Sequence, residues 1–203
     1  MPLLFAATLA VARPENITAG ELALTPPFCQ DAQSINGWTK EVGTRSPRAE
    51  HWLSLMGESF WHMHHFCWGL IQWQRAHAPG VVGRDREFLL REAINEHLYV
   101  VRNTRPDYVM LPEIFYRIGE AQAALGEHYL AIQAFEKSRA VKNDYWPAYV
   151  GWARSLASSR RPQEALAVVE DGLRVMPDNP QLSRLAKELR GETPRPNAVP
   201  VRR

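Results

Sequence analysis

The chain has 203 residues, 45% of them hydrophobic, with 24 basic against 22 acidic side chains and a formal net charge of +2. That length and apolar fraction suffice for one domain with a sizeable core. The near balance of charge removes any broad electrostatic case for binding nucleic acid or an anionic membrane surface.

The chain begins with the apolar run PLLFAATLAVA, which has the length of a signal-peptide core and ends in Ala10-Val11-Ala12, a small-residue pattern that suits signal peptidase. No Lys or Arg precedes it. The pattern predicts an export signal over residues 1–12 and an irregular N-terminal arm over 13–45, with a periplasmic or secreted destination; if the run is not a signal, the protein is cytoplasmic. No later segment reaches the roughly 18 to 20 apolar residues needed to cross a bilayer, so no transmembrane span is expected in the mature chain. Thr25-Pro26-Pro27-Phe28 before Cys29 does not resemble the small-residue box of a lipidated cysteine. Cys29 and Cys67 are the two cysteines. In an oxidising compartment such a pair reads as one disulfide, closing a loop of about 38 residues and contributing roughly 3 to 4 kcal/mol. In a reducing one, Cys67 is a free thiol near histidines.

Ser46-Pro47 opens the next segment, where residues 48–76 read as one long helix and 84–103 as a second, containing Ala93-Ile94. His77-Ala-Pro-Gly-Val-Val-Gly83 is the connecting loop. At 100° per residue, Trp52, Leu55, Met56, Ser59, Phe60, Met63, Phe66, Cys67, Leu70 and Trp73 share one broad face, which is the expected core face. The stretch FWHMHHFCWGL over residues 60–70 suggests a transition metal or haem. The projection, however, sends His62, His64 and His65 in three directions. Two ligand pairs remain at helical spacing, His62 with His65 and His64 with Cys67. Each needs partners from another helix, such as His97, Glu96 or Glu92, to complete a site. CxxC, HExxH and CxxCH spacings are all absent, so packed histidines are favoured and metal or haem handling is kept as an alternative. Trp61 and Trp68 fall opposite the core face with Leu53 and Ile71. Either the N-terminal arm covers this stripe, stapled by the disulfide, or it lines a groove that receives a peptide or an amphipathic helix. On the second reading the partner-binding candidates are Trp61, His65 and Trp68, together with Tyr116, Tyr145 and Trp146, because aromatic anchors combine large apolar area with a polar edge.

The second half repeats with a period of 34 residues, which lays Ala131, Phe135 and Asn143 on Ala165, Val169 and Pro177, and Gly119 on Ala153. Pro112, Pro147 and Pro180 each stand where proline starts a helix. In the first copy, apolar and small residues recur at helical spacing on both sides of Leu125-Gly126, predicting helix, tight turn, helix. With Ile118-Gly119, Ala131, Phe135 and Ser138 in one copy and Trp152-Ala153, Ala165, Val169, Gly172 and Pro177 in the next, residues 112–178 resemble two tandem tetratricopeptide repeats. The repeats run over 112–145 and 146–178, and residues 179–190 are similar to the capping helix that follows such arrays. Asn143 departs from the closing proline, and Arg160-Arg161-Pro162 replaces the turn glycine of the second copy, which leaves that turn open. Residues 46–104 resemble a divergent, lengthened first pair, with Met56-Gly57 in the Leu-Gly position. The region is also similar to bacterial repeat proteins of unassigned role whose first helix carries an MG…FW…HH…C run. The resemblance implies an all-α fold, a right-handed superhelix of antiparallel helix pairs. Residues 191–203 read as a disordered, Pro-rich basic tail.

Catalysis has little support. No GxSxG elbow or phosphate-binding loop occurs, and the His64–Cys67 pair sits within a helix, where backbone N–H groups are not free to form an oxyanion hole. The expectation is therefore a non-enzymatic, exported scaffold or adaptor that binds a protein or peptide in its repeat groove. The alternatives are a metal- or haem-handling protein using His62, His64, His65 and Cys67, and a structural subunit of an envelope complex.

Overall fold

The computed structural model describes residues 14–192. The expected signal over 1–12 and the tail from residue 193 onward lie outside them. All regular structure among the described residues is helical, in the order α1 (Ala19–Ala23), α2 (Ala49–Met56), α3 (Met63–Ala76), α4 (Gly83–Asn103), α5 (Leu111–Ala124), α6 (His128–Val141), α7 (Trp146–Ser158), α8 (Pro162–Val175) and α9 (Pro180–Arg190). Short 3-10 segments occupy Pro27–Gln30 and Gly57–His62. No helix among the described residues is long and apolar enough to cross a membrane.

From α3 onward each helix packs against the next in sequence, and α5, α7 and α9 also touch one another in succession. This makes a row of adjacent helix pairs, with α5, α7 and α9 forming one layer. Small residues permit the close approaches. A Cβ added to Gly119 or Gly151 would stand 2.6 or 2.5 Å from the Phe135 ring, so one aromatic side chain of α6 is wedged against glycines of both α5 and α7.

The two turns of the repeat have the same backbone despite different residues. After α5, Gly126 N–H donates to Ala123 O and Glu127 N–H to Gln122 O; 34 residues on, Arg160 donates to Ala157 O and Arg161 to Leu156 O. Gly126 has φ of 79° and Arg160 has φ of 61°. Arg160 therefore adopts the left-handed conformation that glycine supplies in the first copy, satisfying the same helix-end carbonyls. The open question of the second turn is answered by hydrogen bonding, not by residue type.

The N-terminal half departs from the sequence reading in one important respect. Residues 48–76 are not one helix: Gly57, at φ 63° and ψ −163°, ends α2, and the 3-10 segment separates it from α3. That backbone conformation is open to glycine and closed to other residues. Gly57 is thus a terminator, not a close-packing glycine, and a projection carried from Trp52 through the break loses its phase. Leu55, assigned to the core face, is exposed. The arm also carries more order than its composition suggested. Thr18 and Glu21 form a reciprocal capping box on α1, the T-x-x-E pattern that marks a helix start.

Candidate functional site

Cys29 and Cys67 are bonded to each other, with Cα atoms 5.6 Å apart and both residues fully buried. The bond fixes the arm on α3, and the rest of the arm's hold is polar and aromatic. Phe28 meets the rings of Trp52 and Phe66. Asp31 accepts from Ser46 Oγ at 2.6 Å, Arg48 Nε and Trp52 Nε1 at 2.7 Å. The Gln33 amide donates to Trp61 O at 2.5 Å and lies 3.4 Å from His64 Nδ1, while Lys40 and Arg45 stand over the Trp61 ring. Arg75 of α3 holds Glu21 of α1 at 2.5 Å.

This arrangement decides between the two readings of the tryptophan stripe. Trp61 is 5% exposed and Trp68 6%, so both indoles are buried: Trp61 lies beneath the arm, and Trp68 packs on the His64 and His65 rings. His65 is buried as well.

Under the arm, α3 and α4 meet along a seam that is polar for its depth. Glu96 of α4 is 0% exposed and its Oε2 lies 2.5 Å from His65 Nδ1. Burial, helped by the neighbouring Glu92 charge, raises the Glu96 carboxyl to about 8, and burial lowers His65 to about 4. Both charges are disfavoured, so the contact is a neutral hydrogen bond in which protonated Glu96 donates to His65. Tyr99 stacks on the His65 ring at 3.6 Å, and the His64 and His65 rings lie 4.2 Å apart. Burial and then the neighbouring His65 hold His64 at about 3; burial and then Arg117 hold His97 at about 3. Trp68 Nε1, Gln72 Oε1, Glu96 Oε1 and both His97 ring nitrogens are buried without a hydrogen-bond partner. Gly69 makes this packing feasible, since a Cβ there would lie 2.7 Å from the His97 ring.

Neither proposed ligand pair is joined by a third ligand among the described residues. Cys67 is consumed by the disulfide, and His62 diverges from its neighbours to line a cleft of about 700 Å³ between the 3-10 segment and the loop after α4. Among the described residues no group of three or more His, Cys, Asp or Glu is arranged to hold a metal ion. His65 pairs with Glu96, one of the residues the spacing argument had offered as a partner, but in a hydrogen bond.

The other sequence-derived candidates gather elsewhere. Two adjoining cavities, of about 230 and 300 Å³, share Tyr116, Val150 and Arg154 and run across α5, α7 and α9. Trp73 and Gly151 line the first, and Trp146 and Leu185 the second. Tyr145 supports this groove from behind: its hydroxyl donates to Glu113 and its ring meets Tyr116 edge-on at 6.1 Å. Glu113 and Glu120 are both bridged by Arg117, and Tyr116 donates to Glu120 at 2.7 Å. Arg154 has no ion-pair partner among the described residues, and nothing in its local sequence marked it. Its position one helix layer from Tyr116 emerges only when α5 and α7 pack. No protein-family model matches the chain, and no curated protein sequence matches it.

Proposed function

We propose that the chain is a tetratricopeptide-like interaction scaffold that binds an extended peptide or a helix of a partner protein in the groove across α5, α7 and α9. The observation that carries this reading is the groove itself: aromatic Trp73, Tyr116 and Trp146 with apolar Val150 and Leu185, around the unpaired guanidinium of Arg154. Such a surface offers large apolar contact, with Arg154, Glu120, Arg184 and Glu188 supplying charges that fix register. The repeat reading is supported by the shared turn hydrogen bonds 34 residues apart and by the Gly119–Phe135–Gly151 wedge. Each pair leaves its apolar face to be covered by the next, and the α5, α7 and α9 layer is the inner wall of the right-handed superhelix. The Cys29–Cys67 bond is compatible with an oxidising compartment, in line with an exported adaptor.

The test is a selection of peptides on the full chain from a random library, followed by affinity measurement on wild type and Arg154→Glu. Reversing this exposed charge in the groove should weaken selected peptides at least tenfold while the melting temperature stays within a degree or two. Peptides that bind both chains equally well would refute the groove as the site.

A further inference from the structure

The arm's grip on α3 contains one contact whose chemistry changes sign with a proton. The Gln33 side-chain nitrogen lies 2.5 Å from Trp61 O and 3.4 Å from His64 Nδ1. A carbonyl oxygen only accepts, so the Trp61 contact fixes that end of the amide as the donor. Neutral His64 can accept the second N–H through its Nδ1 lone pair. An imidazolium has N–H on both nitrogens, and the contact becomes donor against donor. Turning the amide over does not rescue it, because that would place the Gln33 oxygen against the Trp61 carbonyl.

The charges around His64 point the same way. From the arm it faces Gln33, while the cations Lys40 and Arg45 stand 5.9 Å from the neighbouring Trp61 ring centre and Lys40 acts on His62. The arm's Asp31 is committed to Ser46, Arg48 and Trp52, and its Glu41 is exposed and bonded through its backbone to Thr39. From its own chain segment His64 faces His62 and His65, and from α4 the seam presents Glu96 with Glu92 behind it, Tyr99 and His97. Arg117 of α5 adds positive potential at His97. The nearest carboxyl, Glu96, is engaged with His65 and can balance a charge on that ring by giving up its own proton. His64 has no carboxyl partner; its one contact favouring a proton is the Trp61 carbonyl, to which Gln33 already donates. A proton on it therefore meets a mismatched donor on the arm side and competes with Gln33 for that carbonyl, while the α3–α4 contact keeps its own compensation.

We propose that residues 31–48 form an acid-released cover: protonation of His64 loosens this segment from Trp61 and α3, and the Cys29–Cys67 bond keeps it tethered for reclosure. The device is independent of the groove across α5, α7 and α9. Releasing the cover uncovers Trp61 beside His64, a surface absent at neutral pH.

Hydrogen exchange with mass-spectrometric readout on the intact, oxidised chain tests this, with rates corrected for the intrinsic pH dependence. His64 is held at about 3 in the closed form against 6.5 for an open, solvated ring. One such proton increases the opening equilibrium roughly twenty-fold between pH 7 and pH 5. Peptides covering 31–48 should lose protection by that factor through an opening of lower free energy than global unfolding, which alone exposes α5 to α8. His64→Gln retains a side-chain acceptor that does not protonate in this range, and should reduce the response to below about threefold. Unchanged arm protection in wild type, an undiminished response in His64→Gln, or arm peptides that exchange only with global unfolding would each overturn the proposal. If His64→Gln does not fold, NMR titration of the wild-type imidazole decides: the ring must protonate together with the loss of arm protection, and a ring that stays neutral through that loss refutes the mechanism.

Discussion

Arg160 is the residue whose replacement tests the architecture most directly. It sits at φ 61° in the turn between α7 and α8, in the place where Gly126 supplies φ 79° between α5 and α6. A residue with a Cβ loses about 1 to 2 kcal/mol in the left-handed region. Glycine removes that strain but adds unfolded-chain entropy, a loss of about 0.4 to 1 kcal/mol. The Arg160 side chain is exposed and makes no hydrogen bond or ion pair among the described residues, so its removal forfeits no contact there. Arg160→Gly should therefore stabilise the chain by about 0.5 to 1 kcal/mol. For a domain of this size that raises the melting temperature by roughly 1 to 4 °C, readable by calorimetry or by circular dichroism at 222 nm. The reciprocal change, Gly126→Arg, should lower it by a similar amount. A lower melting temperature in Arg160→Gly would refute both the turn geometry and the equivalence of the two helix pairs.

The buried seam predicts an acid-labile fold. His64, His65 and His97 are held below their ordinary 6.5, so the stability they carry is present above that pH and is lost as pH falls towards about 3 to 4. Glu96, raised from 4.5 to about 8, acts oppositely, favouring the folded state at low pH and losing that contribution as pH rises through 8. Three protons against one leave a limiting slope of roughly 2.7 kcal/mol per pH unit between 6.5 and 4.5. Urea midpoints measured at pH 7, 6 and 5 should fall steadily, and a flat series would show that the seam is solvated. Gly69→Ala should destabilise by about 1 to 3 kcal/mol, because the new methyl meets the buried His97 ring; Gly20→Ala, with only Thr18 Oγ1 at 3.9 Å, should be neutral or mildly stabilising, and urea melts of the pair would separate them. Reducing Cys29–Cys67, whose separation is 38 residues, should cost about 3 to 4 kcal/mol, measured as the difference between urea melts with and without a dithiol. No loss on reduction would mean that the arm holds α3 without its staple.

Much of this was legible in the residues. The 34-residue period and the prolines at helix starts located α5 to α9, because helical periodicity and the missing proline N–H are local properties. The cystine pair followed from there being two cysteines. Tyr116 and Trp146, which line the cavities across α5, α7 and α9, stood out in the sequence as aromatics, whereas Arg154 did not, since an exposed arginine on a helix carries no signal until its neighbours are placed. The single core face drawn from Trp52 to Trp73 failed for a physical reason. A helical wheel is valid only along unbroken helix, and Gly57 broke it. T-x-x-E at Thr18 was the one overlooked local signal in the arm.

The sequence by itself determined the helical class, the covalent tie between arm and helix, and the turn positions, because these depend on residues near in the chain or on chemistry with one partner. Only the tertiary structure decided what covers Trp61, that His65 meets Glu96, and that the Gln33 amide sits between Trp61 O and the His64 ring. Those contacts join residues 28 to 31 positions apart. Their energies depend on burial, which no single segment carries, so the depth at which His64, His65 and Glu96 sit was decided only in three dimensions.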